Sequence, residues 1–348
     1  MNEGFRVLVY ATVFAVLAGW VLYLGRDILV PIVFSVMAMY VILGSARLLE
    51  RAPVIGPALP PRLRYGLSAL AMLAALLLLG WLVMDSVDAL VAQAPHYQAQ
   101  LVALAQRGAT VLGLESEPSW ETIRRGALDR LSLQKLAASL LLSLGAILAG
   151  LTVIGLYVVF LMVERGHFDA KVAALSDDPA RVAQVRRIVT DINHRIGTYL
   201  ALKTLLSLLL GLASWIILAA MGVELAGFWA LLIGLLNYVP YIGSVLGVAL
   251  PALFALLQFG DLKTALLLAG GLSVVQFLNG NLLDPYLMGS SLNLSPFVIL
   301  VCLTVWTALW GMAGAFLAVP LTACLVMVLA EFNGGRPIAV LLSKKGEV

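Results

Sequence analysis

The chain has 348 residues, 62% hydrophobic and 12% charged, against roughly 45–50% apolar and about 25% charged in soluble domains. That balance excludes a chain of ordinary soluble domains and indicates an integral membrane protein; solid Leu, Ala, Val and Ile runs, rather than alternation over about ten residues, exclude an outer-membrane barrel. A net charge of +3 gives no sign of nucleic-acid binding, and in a membrane protein the placement of basic residues matters more than their sum.

The fold class is therefore all-α, a polytopic membrane helical bundle. Apolar runs place spans near 7–25, 28–46, 66–84, 136–163, 197–221, 228–258, 262–283 and 297–330. Residues 1–84 hold three transmembrane helices, 85–135 an extracytoplasmic helical segment, and 136–163 the fourth span. Residues 164–196 form a cytoplasmic helical segment, 197–331 the C-terminal transport-type helices with interruptions, and 332–348 a cytoplasmic tail. The first run has only Arg6 before it and lacks a small-residue cleavage site, so it reads as a retained span. With the N-terminus inside, sixteen of the twenty-two basic residues fall on the inner side, Lys203 and Lys263 among them, and both termini are cytoplasmic.

Two polar excursions carry helical spacing. In 85–135, Val87, Leu90, Val91, Leu101 and Leu104 mark one surface helix, and Ser119-Trp120-Glu121 starts a second. In 164–196, Asp178 is an N-cap with Pro179 at the first helical position, and Val182, Val185, Ile188, Val189, Ile192 and Ile196 form one apolar stripe on a basic helix.

Catalytic signatures are missing. There is no phosphate-binding G-x-x-x-x-G-K-[ST] loop and no H-E-x-x-H, and His96, His167 and His194 all fall in polar segments. The expectation is a non-enzyme with no cofactor and no metal. Cys302 and Cys324 lie on one predicted helix about 33 Å apart and cannot pair.

What the sequence does carry is broken helix beside polar side chains. In "LLNYVPYIGSVLG" Pro240 removes a donor and clashes with the preceding turn, so carbonyls near 236 need other partners, and Gly243 permits a close turn. A second interruption follows in "NGNLLDPYLMGSSLNLSP", and a third in "WTALWGMAGAFLAVPL", where Gly311, Gly314 and Pro320 are hinge candidates. In hydrocarbon such backbone persists only where protein or a watery cavity surrounds it, and Gly/Pro-interrupted segments point to transporter sites. The pathway candidates are Asn237, Pro240, Tyr241, Gly243, Gln276, Asn279, Asn281, Asp284, Pro285 and Gly289. Counted as straight helix from Leu262, Asp284 lies about 33 Å along, where it ends a helix before Pro285; a chain that folds back or unwinds would bring it to the midplane as a functional acid.

"NYVPYIGSVLGVALPALFALLQFG" followed by "GNLLDPYLMGSSLNLSPFVILVCLTVWTALWGMAGAFLAVPLTA" resembles the autoinducer-2 exporter family of bacterial inner-membrane proteins, closely over 190–331 and by hydropathy before that. The resemblance implies eight spans, a homopentamer and a moving C-terminal transport unit. Family members often read "LEPRLMG" where this chain reads "LDPYLMG", which keeps the acid at Asp284 and replaces the frequent basic residue by Tyr286. The resulting expectation is a secondary or facilitative exporter of a small polar or amphipathic solute, such as a quorum-sensing signal. A sodium(cation)/proton antiporter using Asp284 is the alternative within transport, and a membrane scaffold the alternative outside it. The partners expected are a small-molecule solute, the lipid bilayer and further copies of the chain.

Overall fold

The computed structural model describes residues 3–51, 59–111, 133–174, 176–288, 293–332 and 334–346. In chain order they form α1 (Glu3–Leu24), α2 (Arg26–Arg51), α3 (Pro61–Val111), α4 (Leu133–Glu164), a 3-10 turn (Arg165–His167), α5 (Phe168–Ala174), α6 (Pro179–Ala220), α7 (Ala226–Leu236) and α8 (Ile242–Phe259). Then come α9 (Leu262–Leu278), a π-helical turn (Asn279–Leu283), α10 (Asp284–Met288), α11 (Pro296–Ala330) and α12 (Arg336–Leu342). Among the described residues, seven segments are long and apolar enough to cross a membrane. Phe14 and Trp20 on α1, Leu77 and Trp81 on α3, and Leu266 and Leu267 on α9 are 60–73% exposed, a surface that water would penalise and a bilayer covers. The protein is a polytopic membrane helical bundle.

Two helices outrun the expected spans. The span at 66–84 and the first surface helix are one rod, α3, because a change from apolar to polar side chains does not break backbone bonds; at the changeover Ser86 Oγ donates to the Leu82 carbonyl within the same helix (2.6 Å). Likewise α6 fuses the basic helix and the fifth span. It starts where the sequence indicates: the Ala180 N–H donates to Asp178 Oδ1 at 2.9 Å, with Pro179 at the first helical position. The second expected surface helix, at Ser119, lies outside the described residues.

The chain divides into two compact units. The first combines 1–68, 150–202 and 290–348. There α1 and α2 pack on each other and on α11, and α11 packs on α12. Tyr40 on α2 donates to Asn193 Oδ1 at 2.6 Å, and Trp310 Nε1 donates to the Leu22 carbonyl at 2.9 Å. α11 is not a straight rod. At Gly311 the backbone turns to φ 62°, ψ −143°, open to glycine and strained for other residues, and the two arms fold back on each other. Trp306 Nε1 then donates to Thr322 Oγ1 at 3.1 Å, across sixteen residues that would separate them by about 24 Å in a straight helix. Gly311 is the bend; Gly314 and Pro320 lie buried on the returning arm, where helix continues.

The second unit combines 69–149 and 203–289. Its core joins Leu210 and Leu218 of α6, Ile233 of α7, Phe254 of α8 and Leu268 and Leu272 of α9, with Tyr97 of α3 edge-on to Phe254 (ring centroids 5.4 Å apart). The expected crossing at 228–258 is corrected here: it is a hairpin whose arms, α7 and α8, pack together and return to the same end. The Glu224 N–H donates to Gln258 Oε1 and Gln258 Nε2 donates to the Gly222 carbonyl, both at 2.9 Å, tying the two feet. Tyr97 donates to Glu224 and Arg107 to the Gly260 carbonyl (2.8 Å), so the polar extension of α3 straps those feet. Burial, and then the Glu224 carboxylate accepting from it, push the Tyr97 phenol above its ordinary range. Asp261 caps α9, accepting from the Thr264 hydroxyl and from the N–H groups of Thr264 and Lys263, which in that order hold its carboxyl below the usual range.

Candidate functional site

The hairpin tip answers the question raised by "NYVPYIGS". α7 ends at Leu236 because Pro240 has no N–H for the carbonyl four residues earlier. That carbonyl instead accepts from Val239 N–H (2.9 Å), and Gly243 N–H closes on the Val239 carbonyl (3.0 Å). The carbonyl of Leu236 is thus served within the turn, which corrects the expectation that it is left for other groups. Tyr241, at φ 61°, is 51% exposed and starts α8. Gly243 is required by contact: a Cβ there would overlap the Leu236 carbonyl.

Asn237, at the C-terminal end of α7, turns inward. Its Nδ2 donates to Ser207 Oγ on α6 at 3.0 Å, and its Oδ1 accepts from Asn279 Nδ2 at 3.3 Å. α6 and α7 approach closely enough for this because glycine stands on both sides: a Cβ at Gly234 would meet the Ser207 carbonyl oxygen at 3.0 Å. Beside it Thr204 Oγ1 and Tyr238 OH share a 2.6 Å hydrogen bond.

Asp284 neither ends its helix nor folds back. α9 runs on through the π turn into α10, with the Asp284 N–H donating to the Asn279 carbonyl, an i to i+5 bond. The wider turn has a local cause. Pro285 follows at once, and its ring would clash with the carbonyl four residues before it in a regular helix. The Phe277 carbonyl, one turn before, accepts from Asn281 Nδ2 at 3.2 Å. The turn also has a consequence for side chains. In an α-helix, residues five apart diverge by about 140°, whereas a π turn brings them onto one face. Asn279 and Asp284 therefore both join the Asn237 cluster.

The group they meet is Lys203. Its Nζ lies 3.1 Å from Asp284 Oδ2 and 3.4 Å from Asn237 Oδ1, the latter a long contact. The lysine is 8% exposed, and it forms an ion pair with Asp284. Three buried polar atoms nearby on the same helix have no partner: Gln276 Nε2, Asn279 Oδ1 and Asp284 Oδ1. Gln276 lies against Gly247 of α8, where a Cβ would come within 2.8 Å of its amide nitrogen.

Of the sequence candidates, Asn237, Asn279 and Asp284 come together, with Gln276 one turn away. Pro240 and Gly243 shape the tip without donating to the cluster. Asn281 is spent on its own helix, Pro285 is exposed, and Tyr286 is 85% exposed. Gly289 lies outside the described residues, and Gly311, Gly314 and Pro320 belong to the other unit. Lys203 and Ser207 were missed. The signal was there: in "GTYLALKTLLSLLLGL" a lysine stands several residues inside an apolar run, where a charge is costly unless paired.

Comparison with known proteins agrees with this architecture. The chain is 36% identical over 209 residues to the AI-2 transport protein TqsA of Escherichia coli K12, a match covering 60% of this chain and 59% of that protein. It is 36% identical over 205 residues to the putative transport protein YhhT of the same strain, covering 59% of this chain and 57% of that one. A putative transport protein of Haemophilus influenzae is 31% identical over 255 residues, 71% of this chain and 72% of its own. The model of the AI-2E family transporter matches residues 10–334, and this protein belongs to that family.

Proposed function

We propose that this protein is a secondary or facilitative transporter that exports a small, mostly uncharged, polar or amphipathic molecule, with Asn237, Gln276, Asn279, Asp284 and Lys203 as its solute-facing groups. One observation carries the reading. A hairpin tip and a π turn, both costly in a membrane, meet at a half-buried ion pair flanked by three polar atoms without partners. A scaffold has no use for such a cluster. A quorum-sensing signal such as autoinducer-2 is a candidate solute, because a relative is named for its transport. Cation/proton antiport is the second reading, supported by the unpartnered Asp284 Oδ1.

The protein resides in the bacterial inner membrane with both termini cytoplasmic, as a homo-oligomer that the family resemblance makes a pentamer; light scattering of the purified protein tests its mass. Since 222–224 and 258–260 share an end with 96–107, an external α3 extension puts Lys263 outside and Asp284 inside. Moving Lys263 leaves fifteen of the twenty-two basic residues on the inner side, and the charge bias holds.

Flux into vesicles of purified protein, with candidate solutes and imposed sodium or proton gradients, tests the function. Asn237→Leu should abolish flux of the transported solute while leaving the protein folded. Normal flux per folded molecule would put the site elsewhere. Asp284→Asn should remove gradient coupling if the antiport reading holds, and unchanged pH and sodium dependence would end it.

A further inference from the structure

The ammonium of Lys203 belongs to a cluster rich in oxygen acceptors. Asp284 Oδ2 and Asn237 Oδ1 are within reach of Nζ, and two further buried oxygens of the same cluster, Asp284 Oδ1 and Asn279 Oδ1, have no donor at all. Asn279 is 3% exposed and its orientation is fixed by its own Nδ2 bond to Asn237, so its oxygen is held in place without a partner. A carboxylate with amide oxygens beside it is the kind of oxygen donor set that hard cations take. Yet the cation present is covalently attached to α6 and stands 3.1 Å from Asp284 Oδ2, so it occupies the place without being drawn from solution.

We infer that Lys203 is a built-in cation: it fills a site that would otherwise bind sodium or potassium, and so frees this chain from a requirement for a bound alkali ion. The role is specific to the charge and reach of the side chain. Without the ammonium, the Asp284 carboxylate is left uncompensated, and the four oxygens are available to an ion from solution. Arginine would preserve the arrangement, and removal of both charges would abolish the need for any cation.

The test is the thermal unfolding of purified protein in detergent, titrated with sodium, potassium or lithium chloride against choline chloride at constant ionic strength. It reads ion binding directly, so it stands or falls independently of which organic solute is carried and of whether vesicle flux is found, and its success would exclude sodium antiport through Asp284. The wild type and Lys203→Arg should unfold at the same temperature in all salts. Lys203→Gln should show a saturable rise of several degrees with sodium or potassium, and Lys203→Gln/Asp284→Asn should show none. The inference is overturned by a Lys203→Gln protein without that rise, by a rise that survives in the double variant, or by a saturable rise in the wild type that Asp284→Asn removes. It is equally overturned if Lys203→Gln cannot be recovered folded in any alkali salt.

Discussion

Replacing Gly243 by alanine tests the hairpin at its tightest point. The added methyl carbon would stand 2.6 Å from the carbonyl carbon of Leu236 and closer still to its oxygen. Non-bonded carbons rest at about 3.5–4.0 Å, so the strands of the turn must part by about 1 Å. The obstacle is backbone, and no rotamer change relieves it. Overpacking of this kind costs about 1–3 kcal/mol in ordinary cores. Opening the tip also sacrifices the Val239-to-Leu236 and Gly243-to-Val239 hydrogen bonds (2.9 and 3.0 Å), each worth about 1 kcal/mol. The total is about 3–5 kcal/mol, which at about 2 °C per kcal/mol for a large chain lowers the apparent unfolding temperature by roughly 6–10 °C. Because membrane proteins often unfold irreversibly, variants are compared at one scan rate. Gly270→Ala is the control: a Cβ there meets nothing within 4 Å, and alanine gains about 1 kcal/mol of helix propensity. A Gly243→Ala protein as stable as Gly270→Ala would refute the close turn and with it the hairpin geometry that positions Asn237.

Tyr97→Phe removes the donor to Glu224 and should destabilise the strapped feet of the hairpin by about 1–3 kcal/mol near neutral pH. Since the phenol is held above its ordinary value in the folded protein, the wild type should lose this advantage as pH rises past about 10, where the unfolded tyrosine ionises first; equal alkaline sensitivity of the two proteins would contradict it. Asp261→Ala should weaken the start of α9, with the difference from wild type present above about pH 4 and vanishing as pH falls through the depressed folded value, read from unfolding temperatures across an acid series. With Cys302 and Cys324 replaced, Lys263→Cys and Ser176→Cys should react with an impermeant thiol reagent from opposite faces, whereas labelling from one face would restore 228–258 as a true crossing. Thr322→Val should cost about 1 kcal/mol by leaving Trp306 Nε1 without its partner, measured by thermal unfolding.

Composition alone determined the membrane class, because few ways exist to satisfy backbone groups in lipid, and runs of about 20 apolar residues read directly as helix. The cap at Asp178-Pro179, the turn at Pro240 and the need for glycine at 243 were legible too, since each rests on interactions between residues a few positions apart. Tertiary structure decided the rest. Whether an apolar run of some thirty residues crosses or returns depends on the Gln258 contacts that tie its two ends and on which helix packs beside it. The π turn is a response to Pro285 and to the partners of Asn279 and Asp284, and hydropathy carries no trace of it. The decisive pairing, Lys203 with Asp284, joins residues 81 positions apart. Sequence marks each charge as expensive, but only the folded chain, by bringing Lys203 of α6 to Asp284 of α10, shows that the two offset each other.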